Sequence, residues 1–454
     1  MEIFVRDREF YRKMLRIGIP VVLQSAITIG VNLMDTVMLN KLGEIQISAS
    51  SLANQITNLF HIFCMGVGCG ASVMTAQYWG KRDLEPLRQV VTIMLRCIIA
   101  AGALVMLLAL FLPDYLMALF APGDQAVISA GVEYFTFLAY TYPLYGISLT
   151  ITLVLRSVSS VRLPLFTSVL VFFINVFFNW VFIFGALGAP RMEIAGAALG
   201  TLIARVVEVV IICAFFFHWD SKIGYRPRHL IQSCRGHLSA FCRCSLPVVV
   251  SDSLLGVGNT ALAMIMGRIS SAFVAANAIT MVVSRLTNVI IQGVGNASSV
   301  LTGNTLGRGE PERAYRQGIT FLALGVIFGM AAGGIIWAIS PAVVDFYEIS
   351  PTTRTIAMEQ MWAMALLIPF QTLAYITTKG VLRGGGDTRF LMLADILFLW
   401  AASIPLGYAT GLVWGFGAFW VFLALHIDFI LKTVLCIWRF FTKKWIKPVS
   451  EVFR

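Results

Sequence analysis

The chain is 454 residues long, 58% of them hydrophobic and only 13% charged, with a mean hydropathy of +0.82. Soluble domains carry roughly a quarter charged residues, so soluble enzymes, DNA readers and secreted disulfide scaffolds are excluded. The net charge of +11 would suit a nucleic-acid partner only if the basic residues formed one soluble patch, and their positions show that they do not.

A hydrocarbon core roughly 30 Å thick is crossed by about 20 helical residues. Apolar stretches of that length predict twelve spans, at 14–38, 46–78, 90–113, 130–154, 164–186, 194–218, 239–265, 273–305, 315–343, 357–381, 390–411 and 414–440. The first span follows no small-residue cleavage site and reads as a retained helix rather than a signal peptide. Lys and Arg collect on alternate sides: Arg6 to Arg16, Lys81 to Arg88, Arg156 and Arg162, Lys222 to Arg235, Arg308 to Arg316, Arg383 and Arg389, and Lys443 and Lys444 fall at one set of ends. The opposite loops offer Lys41, Arg191, Arg268 and Arg354. By the positive-inside rule both termini are expected in the cytoplasm of a multi-pass cell-membrane protein. The basic charge then reports topology and contact with anionic membrane lipid, with no nucleic acid expected.

An internal repeat organises the chain. Pro20-Val-Val recurs as Pro247-Val-Val, Gly66-Val-Gly68 as Gly293-Val-Gly295, and Leu155-Arg156 with Arg162 as Leu382-Arg383 with Arg389, all at one offset of 227 residues. The expected fold is therefore an all-α integral membrane protein, twelve transmembrane helices in two six-helix lobes. An even number of helices per lobe relates them by a pseudo-two-fold along the membrane normal, an arrangement found in secondary transporters. The division expected is 1–218 for the first lobe, 219–238 for a cytoplasmic linker, 239–442 for the second lobe and 443–454 for a cytoplasmic tail. The linker is long enough to let the lobes move. No Gly-x4-Gly-Lys-Ser/Thr loop occurs, which excludes an ATPase within this chain.

Ionisable residues inside spans cost roughly 2.5–3.5 kcal/mol near mid-bilayer, so each needs a partner or a use. Asp35 has no basic residue at helical spacing, and a mobile cation or a proton is expected to neutralise it. Asp252 and Asp395 read similarly, as carboxylates for coupling or substrate. Arg205 with Glu208, and Asp428 with Lys432, sit three and four residues apart on one helix face and read as structural ion pairs. Asn175 and Asn179 share a face of the fifth span and Thr201 lies in the sixth. Such neutral oxygens suit a hard cation, and equally suit interhelical hydrogen bonds. Cys234, His237, Cys242 and Cys244 have metal-like spacing, but two of the cysteines fall on an entering helix and no zinc is expected. His61 and His426 read as hydrogen-bonded packing residues. The scattered histidines supply no catalytic set, so an enzyme is not expected.

With Pro20, Asp35, Thr75-Ala-Gln-Tyr-Trp-Gly80-Lys and Leu382-Arg383-Gly384-Gly385-Gly386-Asp387-Thr388-Arg389, the chain resembles the multidrug and toxic compound extrusion (MATE) family, in its bacterial branch. The resemblance implies that Asp35, Asn175, Asn179 and Thr201 match the family's cation-binding cluster in the first lobe. It also implies that Asp252 stands where many relatives carry Glu. The first-half loop Arg156-Ser-Val-Ser-Ser-Val-Arg162 lacks the Gly-Asp-Thr of its second-half copy, and with Pro164 retained the turn is expected to survive. The implied function is a secondary antiporter exporting amphipathic organic cations in exchange for Na+ or H+ by alternating access. No cofactor and no metal other than Na+ at Asp35 is expected, and the protein is expected to be a monomer. The alternative is a lipid-linked oligosaccharide flippase of the same wider superfamily, which would need surplus positive charge, here Arg205, Arg285 and Lys432.

Overall fold

The structure, a computed structural model, describes residues 4–121, 124–347 and 349–447. The expected tail at 443–454 is thus described only as far as Lys447. Among the described residues there is no strand, ten helices are long and apolar enough to cross a membrane, and two bent pairs bring the spans to twelve.

The first half comprises α1 (Arg8–Asn40), α2 (Glu44–Lys81), α3 (Leu84–Phe111), a short α4 (Pro113–Phe120), the pair α5 (Gln125–Leu138) and α6 (Thr141–Ser157), α7 (Arg162–Phe184) and α8 (Glu193–Ala214). The second half comprises α9 (Arg235–Ile269), α10 (Ser271–Gly307), α11 (Pro311–Asp345), α12 (Pro351–Tyr375), α13 (Thr388–Phe398), α14 (Ile404–Tyr408), and the pair α15 (Ala418–Leu425) and α16 (Asp428–Phe441). The spans expected at 130–154 and 414–440 are the bent ones, by 52° and 40°. Three helices, α5, α10 and α12, begin at side-chain caps: Asp124 accepts from the Val127 amide, Ser270 from Phe273 and Ser350 from Thr353. Each cap satisfies an amide the helix cannot reach.

Two compact units form. One holds Met1–Val22, Ala76–Arg82 and Leu246–Arg454; the other holds Leu23–Thr75 and Asp83–Ser245. Against the division 1–218 and 239–442 expected from sequence, the first turns of α1 and α9 are exchanged, and Ala76–Arg82, the last turns of α2 with the residue after them, joins the unit that holds most of the second half. In the first unit Gly18 packs on Gly293, where an added Cβ would sit 2.9 Å from the Gly18 carbonyl oxygen. In the second, Ser245, the repeat equivalent of Gly18, donates to the Val67 carbonyl at 3.4 Å. The exchanges in α1 and α9 occur within two residues of an intrahelical proline, Pro20 or Pro247, which removes one helical hydrogen bond and lets the helix bend.

The repeat extends to the turns. Ser159 (φ 58°) and Gly386 (φ 91°), 227 residues apart, both occupy the left-handed region, with matching bonds from Ser160 to Leu155 and from Asp387 to Leu382. The loop without Gly-Asp-Thr therefore keeps its turn, at the cost of a serine in a conformation that favours glycine.

The linker, expected to be long enough to let the lobes move, is hydrogen-bonded along α3. Arg88 donates to the Ile223 carbonyl at 2.8 and 2.9 Å, and Arg96 donates to those of Leu230 and Gln232. Thr92 donates to the His229 carbonyl and shares a hydrogen bond with the Tyr225 hydroxyl, and burial pushes that phenol up to about 12. The length of the linker is used for anchoring. Cys234 and Cys244 are buried and Cys242 is exposed, and among the described residues no group of His, Cys, Asp or Glu is arranged to hold a metal ion.

Candidate functional site

Four residues singled out in the first half meet. Asp35, half-buried in α1, accepts a 2.6 Å hydrogen bond from the Asn179 amide in α7. The same nitrogen donates to Asn175 Oδ1 at 3.3 Å, and Asn175 Nδ2 donates to Thr201 Oγ1 in α8 at 3.2 Å. Both asparagines are almost fully buried, and Asn179 Oδ1 has no hydrogen-bond partner. Gly200 permits this approach, since a Cβ there would overlap the Asn179 side chain. Spacing put the two asparagines on one face of a helix; the packing of α1 and α8 against that face is what delivers the carboxylate and the hydroxyl.

Among the described residues no Lys or Arg nitrogen lies within 4.0 Å of Asp35. The nearby cation, Arg205, is engaged elsewhere: its Nη1 lies 2.5 Å from Glu208 Oε2 and its guanidinium stacks 4.9 Å from the Tyr145 ring centroid. Glu208 also accepts from Ser148 at 2.6 Å, and Tyr145 hydrogen-bonds His61. The local geometry is thus a carboxylate whose second oxygen has no partner among the described residues. Beside it an amide oxygen is left without a donor. Buried acceptors in this condition are costly unless something positive or protic meets them.

The second half differs. Asp252 and Asp395, candidate carboxylates for coupling or substrate with no base at helical spacing, are each ion-paired to basic residues distant in sequence. Lys379 bonds Asp252 Oδ1 and lies 3.6 Å from Asp395 Oδ2. Lys432 lies 3.3 Å from Asp395 Oδ1 and 2.9 Å from Asp428 Oδ2, and Arg383 reaches Asp252 at 3.9 Å. Ser251 donates to Asp395 and Ser403 to Asp428. The pair Asp428 and Lys432 forms as spacing suggested, with Asp395 as a third member. Lys379 was missed because its carboxylate partners lie 127 and 16 residues away in sequence. It sits in a π-helical stretch, Ile376–Leu382, continuing α12, a distortion frequent at functional sites. A cavity of about 190 Å³ opens beside Lys379, Asp395, Asp428 and Lys432, with Tyr375 and Phe429 among its walls. Asp387 of the glycine-rich loop is a further buried carboxylate, clamped by Arg439 at 2.8 Å and Lys447 at 2.6 Å.

The repeat geometry is conserved beneath these different charges. Gln24 donates to Ser168 just as their equivalents Ser251 and Asp395 bond. A family model matches at both copies. The model described as MatE covers residues 20–181 and again 247–409. The chain belongs to the MatE family. It is accordingly a multi-pass membrane transporter and not an enzyme. A relative named multidrug resistance protein NorM, from Burkholderia vietnamiensis, is 26% identical over 440 residues, covering 94% of this chain and 93% of its own length. Among solved structures, one described as the outward-facing conformation of a multidrug resistance MATE family transporter of the MOP superfamily is 18% identical, with a TM-score of 0.85 and 97% and 99% coverage. A MOP superfamily transporter from Pyrococcus furiosus, described as having reverse polarity of its binding pocket, matches with a TM-score of 0.84 at 18% identity, over 95% of this chain and 96% of its own. These likenesses establish the twelve-helix MatE fold.

Proposed function

We propose that the protein is a secondary multidrug efflux antiporter of the cell membrane, exporting amphipathic organic cations in exchange for Na+ or H+ at Asp35. The observation that carries this is the carboxylate of Asp35, held by Asn179 and free of any basic partner among the described residues. A fixed negative charge with spare acceptors beside it attracts one cation at a time. Organic cation and coupling ion therefore compete, and each binding event biases the transporter toward the state that binds it better. Asn175, Asn179 and Thr201 supply amide and hydroxyl oxygens that suit Na+, while the carboxylate alone suits H+. The relative's name, multidrug resistance protein NorM, supports multidrug export. Both termini are assigned to the cytoplasm on the distribution of Lys and Arg.

A flippase would need surplus positive charge for a pyrophosphate. Arg205 and Lys432 are each matched by carboxylates, which favours the antiporter. The deciding experiment is ethidium efflux from proteoliposomes with independently imposed sodium and proton gradients. The wild type is expected to respond to one of them, and Asp35→Asn to insert normally and lose the response. Near-normal driven efflux from Asp35→Asn would remove the assignment.

A further inference from the structure

We propose that Lys379 is a tethered cation that keeps the second-half carboxylates neutral, so that one coupling ion, at Asp35, exchanges for one organic cation. This rests on the antiporter reading above and adds its stoichiometry.

The charges in the second half alternate: Asp252, Lys379, Asp395, Lys432, Asp428, with Arg383 facing Asp252. Among the described residues three carboxylates meet three cations, so the network is balanced with no ion added. The inner members are nearly closed off, the side chains of Asp395, Asp428 and Lys432 being 5–7% exposed, whereas Asp252 and Lys379 are 21% and 18% exposed. The accessible end of the network is thus the pair a mobile ion would have to open. An ion entering there must displace an ammonium already bonded to its carboxylate. Breaking a buried pair carries a penalty on the order of 10³-fold in affinity. A group on the same chain is also always present at the site.

The repeat partner of Lys379 is Thr152, in the regular α6, and the first half has no tethered amine where its counterpart has one. Asp35, whose repeat equivalent is Leu262, is left open to a mobile ion. Two carboxylate-bearing units thus become one ion site and one self-neutralised network. Exchange of a monovalent organic cation for one monovalent ion moves no net charge.

The test uses full-length protein in proteoliposomes, with ethidium as a monovalent substrate and the membrane potential clamped by valinomycin and potassium. For the wild type, the ethidium gradient sustained by the driving ion is expected to be the same at 0 and −100 mV, and Lys379→Arg should match it. Lys379→Gln exposes Asp252 to a second ion, making the cycle carry one net charge. The sustained gradient should then change by about 40-fold per 100 mV. Adding Asp252→Asn to Lys379→Gln should abolish that dependence. A potential-dependent wild-type gradient overturns the proposal while leaving the antiporter reading intact, as does an active Lys379→Gln that ignores the potential. If Lys379→Gln does not fold, the wild-type and Lys379→Arg measurements decide. Absence of any ion-driven efflux, or full efflux from Asp35→Asn, instead removes the antiporter reading and this proposal with it.

Discussion

The two halves share a backbone plan and place their charges differently. At the six repeat positions where the second half carries Ser251, Asp252, Lys379, Asp395, Asp428 and Lys432, the first carries Gln24, Ser25, Thr152, Ser168, Thr201 and Arg205. Only the last position is cationic in both. Gln24 and Ser168 still bond as Ser251 and Asp395 do, so the scaffold tolerates either a neutral or an ionic version of one contact. A duplicated six-helix unit can therefore divide labour by exchanging side chains, with local helix changes such as the π-helical stretch at Lys379. One copy leaves a carboxylate open and the other closes its carboxylates with lysines.

That contrast can be tested first through stability. Lys432→Met leaves buried Asp428 without its lysine and Asp395 with Lys379 alone, and should cost about 3–5 kcal/mol, read from thermal unfolding in detergent. Arg205→Met should cost less, because Arg205 is 29% exposed and Glu208 keeps its bond from Ser148. Equal losses would mean the two networks are buried alike in practice. Next, Asn175→Ala removes the residue that orients Asn179 toward Asp35. The coupling ion's ability to displace ethidium in detergent should weaken roughly 10- to 100-fold, whereas Ser251→Ala should leave that competition unchanged.

A smaller effect is expected at the matched turns. Ser159→Gly should stabilise and Gly386→Ser destabilise by about 1 kcal/mol each, since both positions require positive φ. A loss on Ser159→Gly would show that the serine side chain contributes something its backbone conformation does not. The smallest effect concerns the linker. Burial, with Arg88 and Arg228 beside it, lowers the His229 pKa below the usual 6.5, and its Nδ1 accepts from the Arg226 amide at 2.9 Å. Because the folded value is depressed, this contribution is fully present above pH 6.5. It declines as the pH falls below that, and is gone once the pH passes the folded value. Hydrogen exchange across 220–232, corrected for its intrinsic pH dependence, should show protection weakening on acidification by the equivalent of about one hydrogen bond, roughly 1 kcal/mol. His229→Gln should flatten that pH response.

Much of the architecture was legible in the residues because a membrane restricts the choices. Backbone polar groups cannot be left unpaired in hydrocarbon, so long apolar runs must be helices. The 227-residue offset carried the duplication, and the lack of a nearby base singled out Asp35. The local ion pairs, Arg205 with Glu208 and Lys432 with Asp428, were visible because three- and four-residue spacings place side chains on one helix face.

Tertiary structure decided what lies beyond one turn of helix. It brought Asn179 to Asp35 across 144 residues and Lys379 to Asp252 across 127, and it exchanged the first turns of α1 and α9 between the compact units. The linker also became a bonded strap on α3 through arginines whose partners are carbonyl oxygens, which every residue carries and no sequence pattern marks. Periodicity reports which face of a helix a side chain occupies, and only packing reports which other helix that face meets. For this protein that second fact distinguishes a carboxylate with no basic partner among the described residues from one already ion-paired.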